Sequence, residues 1–162
     1  MPLDLQLQLV DRVVRYERVW AADPSPLGVL VLRRAGAVES ERASAGLVQL
    51  LNRAGRLGGR PITVTERGYD GTASLLAQCD RERVLLVYLA PGLGAEVGNI
   101  VRAVAGRTIL VVSTVGADVD RGAMVGFELA GARPRIAIHL ASTRAAGRRF
   151  DAQFLRLARV VE

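Results

Sequence analysis

Gly92, Gly94 and Gly98 lie close together in PGLGAEVGNI, after the apolar run Val84–Ala90 and before a segment of helical pattern. A glycine-rich turn between a strand and a helix can hold a nucleotide phosphate, because backbone N–H groups at a helix start point toward the anion. The dinucleotide fingerprint is G-x-G-x-x-G, whereas the spacing here is G-x-G-x-x-x-G. The loop follows the third buried strand rather than the first, and Pro91 removes one N–H donor. Asp118, far enough along to hold a ribose, lies past the next strand in a Gly-Ala-Asp turn. The three glycines therefore read as turn geometry and close helix–strand packing. A small-molecule or nucleotide-binding domain using the 91–98 loop is the alternative.

The remaining reactive side chains are sparse. His139 is the one histidine. Ser142 and Thr143 follow it, but neighbours in sequence do not form a triad, and G-x-S-x-G is absent. Cys79 is the one cysteine, so an intrachain disulfide is ruled out, and its place at the end of an apolar helical segment reads as a small buried side chain. Asp118 and Asp120 form the nearest approach to a metal-ligating pair and read as a surface turn. No cofactor, metal site or catalytic constellation is expected, and the chain does not read as an enzyme.

The elements that position these residues follow from periodicity. Leu5, Leu9, Val13, Tyr16 and Trp20 recur at helical spacing, which predicts an amphipathic helix over about 4–20, ended by AADPSP. LGVLVLRR (27–34) is a buried strand. A helix follows over 38–54 with Gly55 as its cap. RAGRLGG is a loop, RPITVTER (60–67) a strand, and Leu75, Leu76 and Cys79 mark a short helix. The strand at 83–90, a helix over about 94–105 and the strand RTILVVST (107–114) complete an alternating order of helices and strands. Near-continuous apolar strands with long crossovers point to a parallel sheet covered on both faces. GAMVGFELAGARPRIAIHL (122–140) then reads as an antiparallel hairpin, with Arg135, Ala137 and His139 on one face and Ile136, Ile138 and Leu140 on the other. Asp151 is an N-cap for a final helix with Phe154, Leu155, Ala158 and Val161 on its buried face, Arg156 and Arg159 late in it, and Phe150 stapled to Leu155. The expected fold is α/β: one compact domain over 1–162, with a central mostly parallel sheet, a C-terminal antiparallel hairpin and helices on both faces.

Composition limits the function classes. Half of the 162 residues are apolar, which excludes disorder, and no apolar run reaches the length of a bilayer span. The formal charge is +6, and all 22 basic residues are arginine. They are scattered along the chain. The densest groups, Arg53/Arg56/Arg60 and Arg144/Arg148/Arg149, lack interleaved aromatics, so the charge reads as a solvated basic surface rather than a nucleic-acid footprint. MPLDLQLQLV has neither a basic n-region nor a sustained apolar core, which leaves two readings: a cytoplasmic protein, or an exported one whose leader has been removed.

The C-terminal third, RGAMVGFELAGARPRIAIHLASTRAAGRRFDAQFLRLARVV (121–161), resembles the YfiR-like family of bacterial proteins. The matching positions are Gly122, Met124 and Phe127 in one strand and Arg135, Ile136, Ile138 and Leu140 in the next. Ala146 and Gly147 follow in the turn, then Leu155, Leu157, Ala158, Arg159 and Val160. Upstream the likeness is looser but in order, through Trp20, GVLVL, GRPITV, Cys79-Asp80 and AGRTILVVS. His139 stands where the family usually has Asn, and Cys79 has no partner for disulfide-based redox control within one chain. The resemblance implies a periplasmic regulator that represses an inner-membrane diguanylate cyclase by binding its periplasmic sensor region, lowering cyclic-di-GMP and biofilm formation. It implies an envelope signalling protein as partner, a cyclase or sensor kinase, with homodimerisation left open, and neither nucleic acid nor membrane insertion. Arg135, His139 and Arg144 are the candidate contacts for ligand or partner.

Overall fold

The computed structural model describes residues 1–20 and 23–162; part of the expected helix terminator, at 21–22, lies outside the described residues. The elements in chain order are α1 (Leu3–Tyr16), β1 (Leu27–Arg33), α2 (Val38–Ala54), β2 (Arg56–Leu57), β3 (Arg60–Gly68), α3 (Thr72–Glu82), β4 (Val84–Leu89) and α4 (Val97–Val104). They continue with β5 (Leu110–Ser113), β6 (Val125–Ala130), β7 (Arg133–His139), α5 (Leu140–Ala145), α6 (Ala152–Leu155) and β8 (Arg159–Val161). The eight strands form one sheet in the order β2-β3-β1-β4-β5-β6-β7-β8. The stretch β3-β1-β4-β5-β6 is parallel; β2 and β7 run antiparallel to their inner neighbours, and β8 runs parallel to β7. The α/β class, the mostly parallel sheet and the hairpin agree with the sequence reading.

β1, β4 and β5 are buried almost throughout, as a sheet covered on both faces requires. α1 packs on α2, and α3 packs on α4. Each fully buried Val or Leu contributes roughly 1.5–3 kcal/mol of transfer free energy, so this central sheet is the main source of stability. Gly28 permits a close approach there: a Cβ on it would lie 2.6 Å from the carbonyl oxygen of Arg83. Two polar side chains inside this core satisfy each other. Tyr88 donates from its hydroxyl to Gln6 Oε1 at 3.2 Å, and Gln6 Nε2 donates to the carbonyl of Thr114 at 3.3 Å. The Tyr88 phenol is pushed well above its ordinary pKa by complete burial.

Four expectations need correction. α1 ends at Tyr16 rather than near residue 20; its buried side chains are Gln6, Leu9, Val10, Val13 and Val14, and Tyr16 is half-exposed. Glu17 turns into extended backbone and bridges to Phe150, a tertiary contact that outweighs helix continuation. RAGRLGG is not all loop, because Arg56–Leu57 pairs with Arg60–Pro61 as β2. The helix expected over 94–105 opens as a 3-10 turn at Gly94–Glu96 before α4 begins. The final helix is a single turn. Asp151 caps it as expected, accepting from the N–H of Gln153 at 2.8 Å, but Arg159–Val161 pairs with Ala137–His139 as β8. The backbone hydrogen bonds offered by the open edge of β7 override a helical pattern whose intrinsic preference amounts to only tenths of a kcal/mol per residue. Arg159 therefore answers no helix dipole; its guanidinium joins Glu128 of β6 to Asp120.

Candidate partner-docking face

The end of α1 and the segment 144–157 are brought together by one buried carboxylate. Glu17 Oε2 accepts from the backbone N–H of Trp20 at 2.8 Å and from Arg148 Nη1 at 3.4 Å, while Oε1 accepts from the N–H of Arg149 at 3.1 Å. Both partners of the ion pair are inaccessible to solvent. The Arg148 guanidinium lies 4.2 Å from the centre of the Trp20 ring. Burial pushes its pKa down to about 10, opposed by Glu17. A backbone hydrogen bond from Arg18 N to Arg149 O, 3.0 Å, completes the seam. Arg148 therefore does not belong to the solvated surface assigned to its sequence cluster.

Aromatic packing extends from this latch. Tyr16 stacks on Phe154 with ring centres 5.1 Å apart and planes 17° from parallel, and Phe150 packs on Phe154 at 5.4 Å. On one flank of the segment a groove of about 700 Å³ is lined by Leu9, Tyr16, Ile136, Phe154 and Leu157, with Arg12, Arg15 and Arg135 around them. Leu9, Ile136 and Phe154 are buried, whereas Tyr16 is 51% exposed and Leu157 79% exposed. On the other flank a hollow of about 520 Å³ lies among Arg18, Arg144, Arg148, Arg149 and Phe150. Large apolar side chains beside a concave floor of buried ones are the ordinary signature of a contact surface.

The three sequence candidates separate. Arg135 lines the groove and pairs with Glu128 on the neighbouring strand, Nη2 to Oε1 at 2.6 Å. Arg144 lines the second hollow. His139 lines neither. Its Nδ1 accepts from the N–H of Ser142 at 3.2 Å and its carbonyl accepts from Thr143 Oγ1 at 2.7 Å, so it caps the start of α5, a helix the sequence analysis does not predict. A nitrogen accepting a backbone N–H activates no hydroxyl. Sequence reasoning put Tyr16 on the repeating face of the first helix and gave Leu157 no surface role, whereas Phe154 is buried as expected and floors the groove.

The glycine loop is a poor phosphate site on electrostatic grounds. Its hollow of about 330 Å³ is lined by Arg34, Tyr69, Gly92, Leu93 and Glu96. Glu96 stands at the start of α4, where an incoming anion would meet its carboxylate. Burial raises the pKa of the Tyr69 phenol, and the nearby carboxylates of Glu96 and Asp70 add to the rise. Gly92 adopts φ +99° for the turn; a Cβ on Gly94 would lie 3.3 Å from Asp118 Oδ1. Asp118 is not on a surface turn. It is buried, accepting from Ser113 Oγ at 2.6 Å and from Arg121 Nη1 at 3.0 Å, while Asp120 is exposed. The pair diverges, and no group of three metal-ligating side chains occurs among the described residues. Cys79 is buried, and burial pushes its thiol up to about 11.

Solved structures share this fold at low identity. A substrate-binding protein with adhesive properties from Clostridium difficile, in its ligand-free open form, matches with a TM-score of 0.68 and 12% identity over 100% of this chain. An ABC domain from Streptococcus pneumoniae in complex with L-Trp matches with a TM-score of 0.67 and 11% identity over 96%. A conserved domain protein from Vibrio cholerae O1 biovar El Tor matches with a TM-score of 0.67 and 14% identity over 99%. In each case this chain spans 60% of the other protein's length, and such identities speak to the fold alone. No curated protein matches the chain. A family model spans residues 8–159 of the 162, and the chain thus belongs to the YfiR/HmsC-like family.

Proposed function

We propose that this chain is a non-enzymatic periplasmic regulator that binds the periplasmic sensor region of an inner-membrane signalling protein of the diguanylate cyclase type and represses it. Membership of the YfiR/HmsC-like family, a regulatory and non-catalytic one, supports this reading. So does the absence, among the described residues, of a helix long and apolar enough to cross a membrane. The observation that carries the reading is the groove in which exposed Tyr16 and Leu157 border the buried floor of Leu9, Ile136 and Phe154. An apolar concavity beside protruding apolar side chains suits a protein contact. The hollow at the glycine loop, with its carboxylate at the helix start, does not suit a nucleotide.

Deletion of the gene from its native host, followed by complementation, tests the proposal. Cyclic-di-GMP should rise on deletion and return to its former level with the wild-type chain but not with Leu157→Asp, whose exposed position leaves the fold intact. An unchanged cyclic-di-GMP level on deletion, or equal rescue by both chains, would refute it.

A further inference from the structure

Charge is unevenly spread over the surface. The chain holds 22 arginines against 16 carboxylates. Around the two hollows flanking 144–157, however, stand Arg12, Arg15, Arg18, Arg135, Arg144 and Arg149, with Asp11 as the one carboxylate in either lining. Asp11 is already engaged, since it pairs with Arg15 at 3.1 Å and accepts the N–H of Gly58 at 2.7 Å. Glu128 holds Arg135. Arg12, Arg18, Arg144 and Arg149 have no carboxylate within ion-pair distance among the described residues. Folding assembles this excess: Arg12 and Arg18 come from the α1 end, Arg144 and Arg149 from far along the chain, and the buried Glu17–Arg148 pair holds the two together.

We infer that the partner presents an acidic polypeptide surface to this face, with Asp and Glu side chains around an apolar patch. The inference rests on the docking reading above and specifies its chemistry. Guanidinium groups are weakly hydrated, fork-shaped donors that match carboxylates, and unpaired ones beside the apolar groove (Arg12) and around the second hollow (Arg18, Arg144 and Arg149) favour an occupant of opposite charge. A single-stranded nucleic acid would need aromatic faces open for base stacking, but Tyr16 and Phe150 pack against Phe154. A lipid headgroup plane is flat and cannot reach a floor made of the buried Leu9, Ile136 and Phe154.

The test uses the full chain, labelled with ¹⁵N. It is titrated with a capped hexapeptide whose Phe-Leu centre is flanked by acidic residues, and with a counterpart flanked by lysines. The acidic peptide should shift amide resonances of residues 12–18 and 144–157 and bind at least about tenfold more tightly than the lysine peptide. That preference should fade at about 0.5 M salt, where charges are screened beyond a few ångströms. It should also be lost in the exposed-site variant Arg12→Glu/Arg144→Glu/Arg149→Glu, whose melting temperature serves as the folding control. Equal affinity for both peptides, shifts elsewhere on the molecule, or no saturable shift overturns the inference. So does preferential binding, through these arginines, of phosphatidylglycerol vesicles or a single-stranded oligonucleotide. If deletion leaves cyclic-di-GMP unchanged while the acidic preference persists, the regulatory reading fails and this one stands.

Discussion

The loop 91–98 and the segment 144–157 make opposite use of similar material. Each contains glycine and leads into a short helix, the first after β4 and the second out of α5. In the first, charge is spent internally: Glu96 accepts from Asn99 Nδ2 at 3.2 Å, and Asp118 behind Gly94 is tied to Ser113 and Arg121. In the second, a single buried pair holds the backbone while arginines and large apolar side chains around it stay uncovered. A loop whose polar groups satisfy one another is scaffolding, even where its glycines suggest a ligand. A segment that buries one charge pair and leaves others unpaired has surface to offer.

The largest test of this contrast is Glu17→Gln. Removing the charge leaves Arg148 buried without a counter-ion, and the expected loss is about 3–5 kcal/mol, read as a shift in the urea midpoint at neutral pH. Replacing the pair together, Glu17→Leu with Arg148→Met, should recover most of that loss, because neither charge is then stranded. Asp118→Asn on the loop side should cost less, about 1–3 kcal/mol, because Arg121 is 55% exposed and can return to water. Equal losses at Glu17 and Asp118 would remove the distinction between the two regions.

A second test concerns Cys79, within the parallel-sheet half. Its thiol is pushed up to about 11 by burial, with Asp80 and Glu82 adding to the rise and Arg107 opposing it, against 9.0 for an unperturbed group. The native state therefore keeps its proton while the unfolded chain releases it. The stabilisation is complete below pH 9 and is lost as pH rises toward 11. Between pH 8.5 and 10 the wild type should lose about 1 kcal/mol more than Cys79→Ala, measured from paired denaturation curves. Parallel pH dependence in the two proteins would mean that the thiol is not sealed in the core.

Legibility followed the period of the pattern. β1, β4 and β5 were readable because buried parallel strands are continuous apolar runs, and Gly55 and Asp151 were readable because caps are local chemistry. Tyr16 shares the helical spacing of the buried Leu9 and Val13 yet is half-exposed at the end of α1, and Leu157 stands exposed just past the single turn of α6, before Arg159–Val161 pairs with β7; nothing in the sequence pattern marks either as exposed. Arg148 lies in RRF beside an exposed arginine, and nothing in that run marks it as buried. Its burial depends on a carboxylate 131 positions away. The arginine face was likewise hidden, because its members come from three separate stretches of the chain.

The smallest expected effect has the sharpest sign. Gly98 lies inside the helical stretch that begins at Gly94, and a Cβ there would have Arg102 Nη1 at 3.6 Å as its nearest neighbour, an ordinary contact. Gly98→Ala should therefore stabilise the protein by about 0.5–1 kcal/mol, through reduced freedom of the unfolded chain. Gly92→Ala should do the reverse, losing about 1–2 kcal/mol, because φ +99° is strained for any residue with a side chain. A loop built to let backbone approach a phosphate would need glycine at both positions for binding, whatever their effects on stability. Opposite signs in thermal melts, with no nucleotide-dependent shift in either variant or the wild type, would fit a loop that only turns the chain. A nucleotide-induced rise in the wild-type melting temperature that Gly98→Ala abolishes would return the candidate site to this loop.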